Sequence, residues 1–227
     1  MTPPEGSEPI PAATVVLVRD RDDGLEVLLL QRGDTREFGR MWVFPGGRVD
    51  PEDFPLDGPD DLAAATRTAA VRESAEEVGL VVDPDGLVPL SHWLPPPIAP
   101  KRFSTWFFLA PAPEGSVVVD GGEITHHEWL TPAAVLARHA TGEIVLAPPT
   151  WVTLHQLGEH ATVADALAAA ATLDQLPYFE THMARSGERL LSMWSDDAGY
   201  ESEDPDAPGP RHRLYMDEGG WTYERSS

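Results

Sequence analysis

Three glutamates lie within five residues of one another in the segment "AAVRESAEEVGL". On a helix, residues three and four positions apart are neighbours, so Glu73, Glu76 and Glu77 would share one side. Crowded like charges destabilise a helix unless a cation neutralises them. Arg72 is adjacent in sequence but is predicted to point elsewhere, so a hard divalent cation is the natural partner of the carboxylates. A solvated acidic helix face is the alternative interpretation, since the chain has a net charge of −22.

The order of predicted elements is that of a mixed domain of strands and helices. Asp60 or Asp61 is the predicted N-cap of a helix from about Leu62 to Val78, and Gly79 is its left-handed C-terminal stop. Further signals predict strands at 12–20, 25–33, 41–47, 87–94, 102–110 and 123–130, and helices from 131 and over about 149–173. This order favours an α/β (α+β) fold in which a mixed β-sheet is sandwiched between helices.

The composition excludes several kinds of protein. Without cysteine, the chain has no disulfide and no cysteine–zinc site. A net charge of −22 is the opposite of the basic footprint of nucleic-acid binders, and it disfavours anionic membranes. No apolar run approaches the ~18 residues of a membrane-spanning helix, and the first residues lack the regions of a signal peptide. We therefore expect a cytoplasmic protein that binds neither nucleic acid nor membranes.

The segment before the helix reads "FPGGRVDPED". Together with "RESAEEVGL" it resembles the signature of the Nudix hydrolases: a glycine, five residues, an acid, a spacer and R-E-U-x-E-E-x-G-U, where U is bulky and aliphatic. Gly47 matches the glycine, and Asp53 stands where the family has glutamate. The helix matches at Arg72, Glu73, Glu76, Glu77, Gly79 and Leu80, with Ser74 where a bulky aliphatic residue is usual.

The spacer departs from the family pattern. Asp53 and Arg72 are separated by eighteen residues, where the family usually has seven. An alternative alignment starts at Gly58 and keeps the usual length, but it puts Ala64 at the acid position. The alignment on Gly47 instead makes residues 54–64 a loop insertion, which costs little chain entropy at a surface.

The resemblance implies a Nudix fold and an attack of water on a pyrophosphate linked to another moiety, with Mg²⁺ (or Mn²⁺) as cofactor. It makes Glu76 and Glu77 metal ligands, and Glu73 a further ligand or the general base. The backbone carbonyl of Gly47 joins the metal shell, and Arg72 orients one of the glutamates. A non-catalytic, nucleotide-sensing module is the alternative, but the complete set of glutamates favours an enzyme.

Several features bear on the substrate, which the resemblance makes a small nucleotide-derived diphosphate. "LLLQR", ending at Arg32, matches a common family strand and makes Arg32 a candidate substrate-binding residue. The long insertion and "KRFSTWFFLA" look most like the branch of peroxisomal coenzyme A diphosphatases and bacterial relatives. If this chain resembles that branch, Lys101 and Arg102 would bind phosphates of the substrate. Alternatively, the two residues simply flank a strand and have no role in binding. Arg36 and Arg40 depart from the coenzyme A signature, so ADP-ribose, nucleotide sugars and dinucleoside polyphosphates stay open beside coenzyme A and its acyl derivatives.

Two further acidic residues are candidate site residues, and the two ends of the chain are expected to lie outside the central domain. Glu123 and Glu128 belong to a strand that can approach the acidic helix in this fold, and either is a candidate extra ligand or base. The predicted divisions are a flexible tail (1–11), a Nudix hydrolase domain (12–176) and a C-terminal extension (177–227) with an exposed loop (195–213). The extension also contains a candidate hairpin that pairs "RLYM" with "WTYE". Family members are often dimers, so a homodimer is one alternative for the assembly.

Overall fold

The structure, a computed structural model, describes residues 8–33, 41–119 and 121–226. Residues 1–7 of the predicted tail, as well as Arg36 and Arg40, lie outside the described residues. The strands are β1 (Ile10–Arg21), β2 (Gly24–Arg32), β3 (Trp42–Val43), β4 (Gly46–Arg48), β5 (Val88–Leu94), β6 (Phe103–Pro111), β7 (Ile124–Leu130), β8 (Tyr178–Glu180), β9 (His182–Ser186), β10 (Arg189–Met193), β11 (His212–Asp217) and β12 (Gly220–Arg225). The α-helices are α1 (Leu62–Val78), α2 (Pro132–Ala140), α3 (Pro148–Leu157) and α4 (Val163–Ala171), and 3-10 helices span Pro51–Asp53 and Pro84–Gly86.

A large mixed sheet has the strand order β3-β2-β1-β6-β5-β8, with β4 paired to β1 and β7 paired to β2. β1 is parallel to β6 and β5 is parallel to β8. Because β6 occupies one edge of β1, β2 and β4 must share the other edge. β1 and β2 therefore separate beyond the Val18–Val27 pair. The segment 42–48 fills the resulting wedge, with β3 against β2 and β4 against β1.

Alternating residues of the central strands face two separate cores. On one side, the α1 face, Ala13, Val15 and Leu28 pack against Ala69 and Ala70 of α1. On the opposite side, the far face, strand residues pack against α2, α3 and α4; this core includes Val16, Val27, Leu29, Val135, Trp151 and Ala166. The predicted sandwich of a mixed sheet between helices is confirmed. Each described helix is too short or too polar to cross a membrane.

Helix α1 begins and ends where its capping residues predict. The Asp61 carboxylate accepts a hydrogen bond from the Ala64 N–H at 3.0 Å, and Gly79 ends the helix in the left-handed conformation at a φ of 69°. Ser74, where the resemblance expects a bulky side chain, is buried, and its hydroxyl donates to the Leu80 carbonyl at 2.9 Å. This bond ties the last turns of α1 to the segment that follows it.

The C-terminal residues pack on the rest of the domain. β8 extends the large sheet by pairing with β5, while β9 to β12 form a second, antiparallel sheet. Trp194 and Leu214 are fully buried in the far-face core. The hairpin expected from the sequence is present as β11 and β12, which turn between Asp217 and Gly220.

The loop expected to be exposed over 195–213 is exposed over most of residues 201–210, whereas Asp197, His212 and Arg213 nearer its ends are buried. Asp197 and Arg213 form a fully buried ion pair, with Arg213 donating to the two carboxylate oxygens at 2.7 and 2.6 Å. Burial alone raises the pKa of Asp197, but the bonds from Arg213 and from the N–H groups of His212 and Gly199 outweigh burial and lower the pKa to about 2. The ion pair therefore closes the base of this loop.

Replacing Asp197 tests this contribution to stability. Asp197→Ala leaves the Arg213 charge buried without its partner, so we expect the free energy of unfolding in urea to fall by about 3–5 kcal/mol. Because the folded pKa is depressed, the stabilisation is present above the unfolded pKa of about 3.9 and is lost as the pH falls through about 2. The difference in the free energy of unfolding between wild type and Asp197→Ala should therefore shrink as the pH falls over that range.

The matched control for this variant is Asp217→Ala. Asp217 pairs with Arg189 at 2.7 Å on the same small sheet, but both side chains are partly exposed. Solvent screening makes such a pair a weak contributor, so Asp217→Ala should unfold nearly as wild type does. Equal destabilisation by the two variants would contradict the special role of the buried pair.

Candidate active site

The site is built where β4 lies between β1 and α1. Gly47 pairs with Ala13 of β1. A Cβ on Gly47 would overlap the Glu73 carboxylate, and a Cβ on Gly46 would overlap the backbone of β1. A glycine at 46 is therefore required for β4 to approach β1, and a larger residue at 47 would displace the Glu73 carboxylate. The sequence predicts a role for Gly47 and none for Gly46, although the glycine pair after Pro45 marks both positions.

The three glutamates of α1 differ in their exposure. Glu77 is buried and accepts a hydrogen bond from the Gly46 N–H at 2.9 Å. The Glu73 side chain is 14% exposed and lies over Gly47, whereas the Glu76 side chain is 60% exposed. Glu73 and Glu77 are therefore held against the β4 backbone, and Glu76 faces solvent.

Arg72 connects the acidic residues to one another. Its guanidinium donates to both carboxylate oxygens of Asp53 at 3.0 and 2.8 Å, to Glu73 at 2.8 Å and to Glu76 at 3.1 Å. It also donates to the Arg48 carbonyl at 3.1 Å. The expectation that Arg72 points away from the glutamates is wrong, because its long side chain folds back along the helix surface. One arginine thus fixes the positions of three carboxylates.

Asp53 holds the start of the insertion. It ends the 3-10 helix after β4, its side chain is buried, and it accepts the Asp50 N–H at 2.8 Å. Although eighteen residues separate Asp53 from Arg72 in sequence, the two side chains meet, so the insertion leaves and returns beside this ion pair. The geometry supports the alignment on Gly47, since Ala64 has no carboxylate to offer Arg72.

Burial and neighbouring charges shift the carboxyl pKa values in opposite directions. Burial raises the pKa of Glu73, and the charges of Glu76 and Asp50 raise it further. The hydrogen bond and charge of Arg72 lower this pKa, but the net pKa lies above its usual value. Burial also raises the pKa of Asp53, but its bonds to Arg72 and to the Asp50 N–H bring the net pKa below its usual value. Glu73 is consequently the better proton acceptor of the two.

The donor set suits a hard divalent cation, although the side chains are not yet arranged around one. Within residues 8–33, 41–119 and 121–226, no three carboxylate or imidazole groups converge on a single point as a finished metal site. Arg72 holds Glu73 and Glu76, while Glu77 bonds the Gly46 N–H. Three carboxylates beside a glycine backbone are the oxygen ligands that Mg²⁺ or Mn²⁺ prefers. The residues therefore fit such a cation once Glu76 turns from Arg72.

The remaining acidic candidates lie on different faces of the sheet. Arg32 ends β2 and forms an ion pair with Glu123, next to Ile124 of the α1-face core. Glu128 pairs with Leu29 of the far-face core, and its carboxylate accepts hydrogen bonds from Arg138 at 2.6 and 3.3 Å. The sheet thus separates Glu128 from the glutamates of α1, and the structure does not bring them together.

Lys101 and Arg102 lie just before β6, at the end of the sheet where Phe103 pairs with Ile10. Lys101 is exposed, and Arg102 is half-buried with its Nε donating to the Pro95 carbonyl at 3.0 Å. This hydrogen bond holds Arg102 against the connection between β5 and β6.

Removing the Asp53 carboxylate tests the central position of Arg72. Asp53→Ala takes two hydrogen bonds from the guanidinium and one from the Asp50 N–H, so we expect urea unfolding to show a loss of about 2–3 kcal/mol. Glu52→Ala changes an exposed acid in the same turn and should behave as wild type. If Asp53→Ala unfolds at the same urea concentration as wild type, the Asp53–Arg72 ion pair contributes nothing to stability.

Comparison with known proteins gives a consistent result. Residues 8–150, more than half of the chain, match the family model described as NUDIX domain. No curated protein sequence matches the chain. A NUDIX hydrolase from Alicyclobacillus acidocaldarius is 25% identical with a TM-score of 0.64, over 75% of this chain and 97% of that one. The NUDIX domain of Shewanella oneidensis NrtR, solved with ADP ribose, shares the fold at 21% identity and a TM-score of 0.52, over 67% and 88%.

The matched region contains every part of the site: the glycine strand β4, the Asp53 turn and all of α1. The same box residues that the resemblance singles out are the ones that meet in space around Arg72 and Gly47. The chain therefore belongs to the NUDIX domain family, with the fold and the box residues of a Nudix hydrolase.

Proposed function

We propose that this protein hydrolyses the pyrophosphate linkage of a nucleoside diphosphate joined to another group, with Mg²⁺ or Mn²⁺ as cofactor. The observation that carries the proposal is the position of Glu73 and Glu77 against the glycine backbone of β4, with Glu76 beside them. Asp53, Glu73 and Glu76 meet there around Arg72, and Glu77 accepts a hydrogen bond from the adjacent Gly46 N–H. The family match supports this class of reaction.

Different residues of the chain would bind the cation, position the carboxylates and accept a proton. Glu73, Glu76 and Glu77, together with the Gly47 carbonyl, would hold the cation, which lowers the pKa of a bound water and neutralises phosphate charge. Arg72 keeps the Glu73 carboxylate over Gly47, and burial raises the pKa of Glu73. A carboxylate with a raised pKa is suited to accept the proton of the attacking water. The two roles of Glu73, ligand and base, stay alternatives.

The charge of the protein favours a cation at the site for substrate binding as well. A chain with a net charge of −22 repels a diphosphate, so the attraction has to be local. Arg72 is occupied by carboxylates, and Arg32 is paired with Glu123. A divalent cation at the glutamates reverses the local field where the phosphates must lie.

For the substrate, the proposal keeps coenzyme A and its acyl derivatives as candidates beside ADP-ribose, nucleotide sugars and dinucleoside polyphosphates. The support for coenzyme A is the sequence resemblance of the insertion and of the strand that follows Lys101 and Arg102. In the structure, Lys101 is exposed at the end of β6, where it can approach a phosphate distant from the cleaved linkage.

Glutamine substitutions test the proposed chemistry. Glu76→Gln and Glu77→Gln each remove a ligand charge with little change in volume, and Glu73→Gln removes a ligand or base. We expect each to lower kcat/KM by about 10² or more. The measurement is the release of two phosphate-bearing products from coenzyme A, ADP-ribose and UDP-glucose with Mg²⁺. Chelation by EDTA should abolish turnover in wild type, and added Mg²⁺ should restore it.

The matched control is Glu128→Gln. This glutamate is on the far face, and an amide oxygen can still accept from Arg138, so its turnover should stay near wild type. Near wild-type rates in both Glu76→Gln and Glu77→Gln would contradict the proposed metal site. A large loss in Glu128→Gln, with unchanged stability, would contradict the assignment of the chemistry to the α1 face.

A further inference from the structure

Arg48 follows the glycine pair of β4 and is the last residue of that strand. Its Cα lies about 3.8 Å from the Cα of Gly47, whose carbonyl is a proposed ligand of the cation. The Arg48 carbonyl accepts a hydrogen bond from Arg72 at 3.1 Å. The backbone of Arg48 therefore belongs to the same contact between β4 and α1 that positions the glutamates.

The side chain of Arg48 leaves β4 on one side and returns toward the carboxylates. Because Gly47 faces Glu73, strand alternation starts the Arg48 side chain on the opposite side of β4. Its Nε nevertheless lies 2.8 Å from one carboxylate oxygen of Asp50, and the other oxygen of Asp50 lies 3.9 Å from Arg72 Nη2. A single carboxylate thus separates the two guanidinium groups, and the charge of Arg48 lies at the margin of the glutamate site.

The guanidinium of Arg48 is accessible to a ligand. Its side chain is 69% exposed, compared with 26% for Arg72. Within residues 8–33, 41–119 and 121–226, Asp50 is the partner of this guanidinium and contacts it at Nε, so the two terminal nitrogens point to solvent. An exposed ion pair of this kind contributes little to stability. A phosphate can therefore share or replace the Asp50 contact at low cost.

Other cations near the strand ends are already engaged. Arg72 donates to three carboxylates and a carbonyl, Arg32 is paired with Glu123, and Arg102 donates to a backbone carbonyl. The chain has 16 basic residues against 38 acidic ones, so a diphosphate is attracted only by local positive charge. A planar guanidinium with open N–H groups binds phosphate oxygens through two parallel hydrogen bonds. Arg48 offers such a group beside the glutamates.

We propose that Arg48 binds a phosphate of the substrate, next to the phosphate that the cation holds at the glutamates. The cation and the guanidinium then hold the diphosphate at two points. Since the contact is with phosphate oxygens, it is the same whatever group the diphosphate carries. Arg48 thus sets the affinity for the diphosphate itself. This inference rests on the proposed function, because it takes the position of the cation from the glutamate site.

The test is equilibrium binding by calorimetry with Mg²⁺ and two probes that resist hydrolysis. One is methylene diphosphonate, and the other is ADP-ribose with a methylene group in place of the bridging oxygen. Arg48→Gln removes both the charge and the paired donors, so it should weaken binding of each probe by about 10- to 150-fold. Arg48→Lys keeps the charge without the paired donors, and its affinity should lie between those of wild type and Arg48→Gln.

The matched control is Arg189→Gln. Arg189 is also an exposed arginine paired with an aspartate, since its side chain is 46% exposed and lies 2.7 Å from Asp217, but it belongs to β10 of the small sheet. This variant should bind both probes as wild type does. Because the Arg48 side chain is mostly exposed, Arg48→Gln should keep a melting temperature near wild type, which separates lost affinity from lost folding.

The outcomes distinguish this inference from the proposed function. It is overturned if wild type binds neither probe, if Arg48→Gln binds both as wild type does, if Arg189→Gln loses as much affinity, or if only the ADP-ribose probe is affected. An unchanged kcat/KM for diphosphate hydrolysis in Arg48→Gln would also overturn it and leave the proposed hydrolysis intact. Binding of both probes that depends on Arg48, without turnover of any diphosphate, would support the role of Arg48 and contradict the hydrolysis.

Discussion

The contact between the backbone of Gly46–Gly47 and the carboxylates of α1 is the constraint on which the rest of the site depends. Any side chain at Gly47 would occupy the place of the Glu73 carboxylate, and the Gly46 N–H is the partner of Glu77. The contact exists because β1 and β2 separate and leave a wedge for β4. The alanine-rich side of α1 then lets the helix lie close to the same strands.

The carboxylates beside β4 are arranged around the guanidinium of Arg72. Arg72 holds Asp53, Glu73 and Glu76, and the fourth carboxylate, Glu77, accepts a hydrogen bond from the Gly46 N–H. Four carboxylates therefore lie close together in a protein that is already strongly acidic. The proposed divalent cation would relieve this repulsion and attract a phosphate to the same place. The Asp53–Arg72 pair also ties the start of the long insertion to α1.

Some of these features could be predicted from residues that are close in sequence. The bounds of α1 follow from Asp61 and Gly79, because capping is decided within one helical turn. Other features could not be predicted in this way. The partners of Arg72 and the burial of Asp197 depend on segments that meet only after folding. The face of Glu128 depends on its pairing with Leu29, and a shift of one residue would reverse it.

The sequence by itself determined that Glu73, Glu76 and Glu77 lie together, since their spacing places three carboxylates on one side of any helix. It also determined the layered α+β fold, because hydrophobic periodicity is local. Only the tertiary structure decided that Asp53 belongs to the site, and that Gly47 lies beside Ala13 of β1. The physical reason is strand register, which brings together residues far apart in the chain and sets which face each side chain occupies.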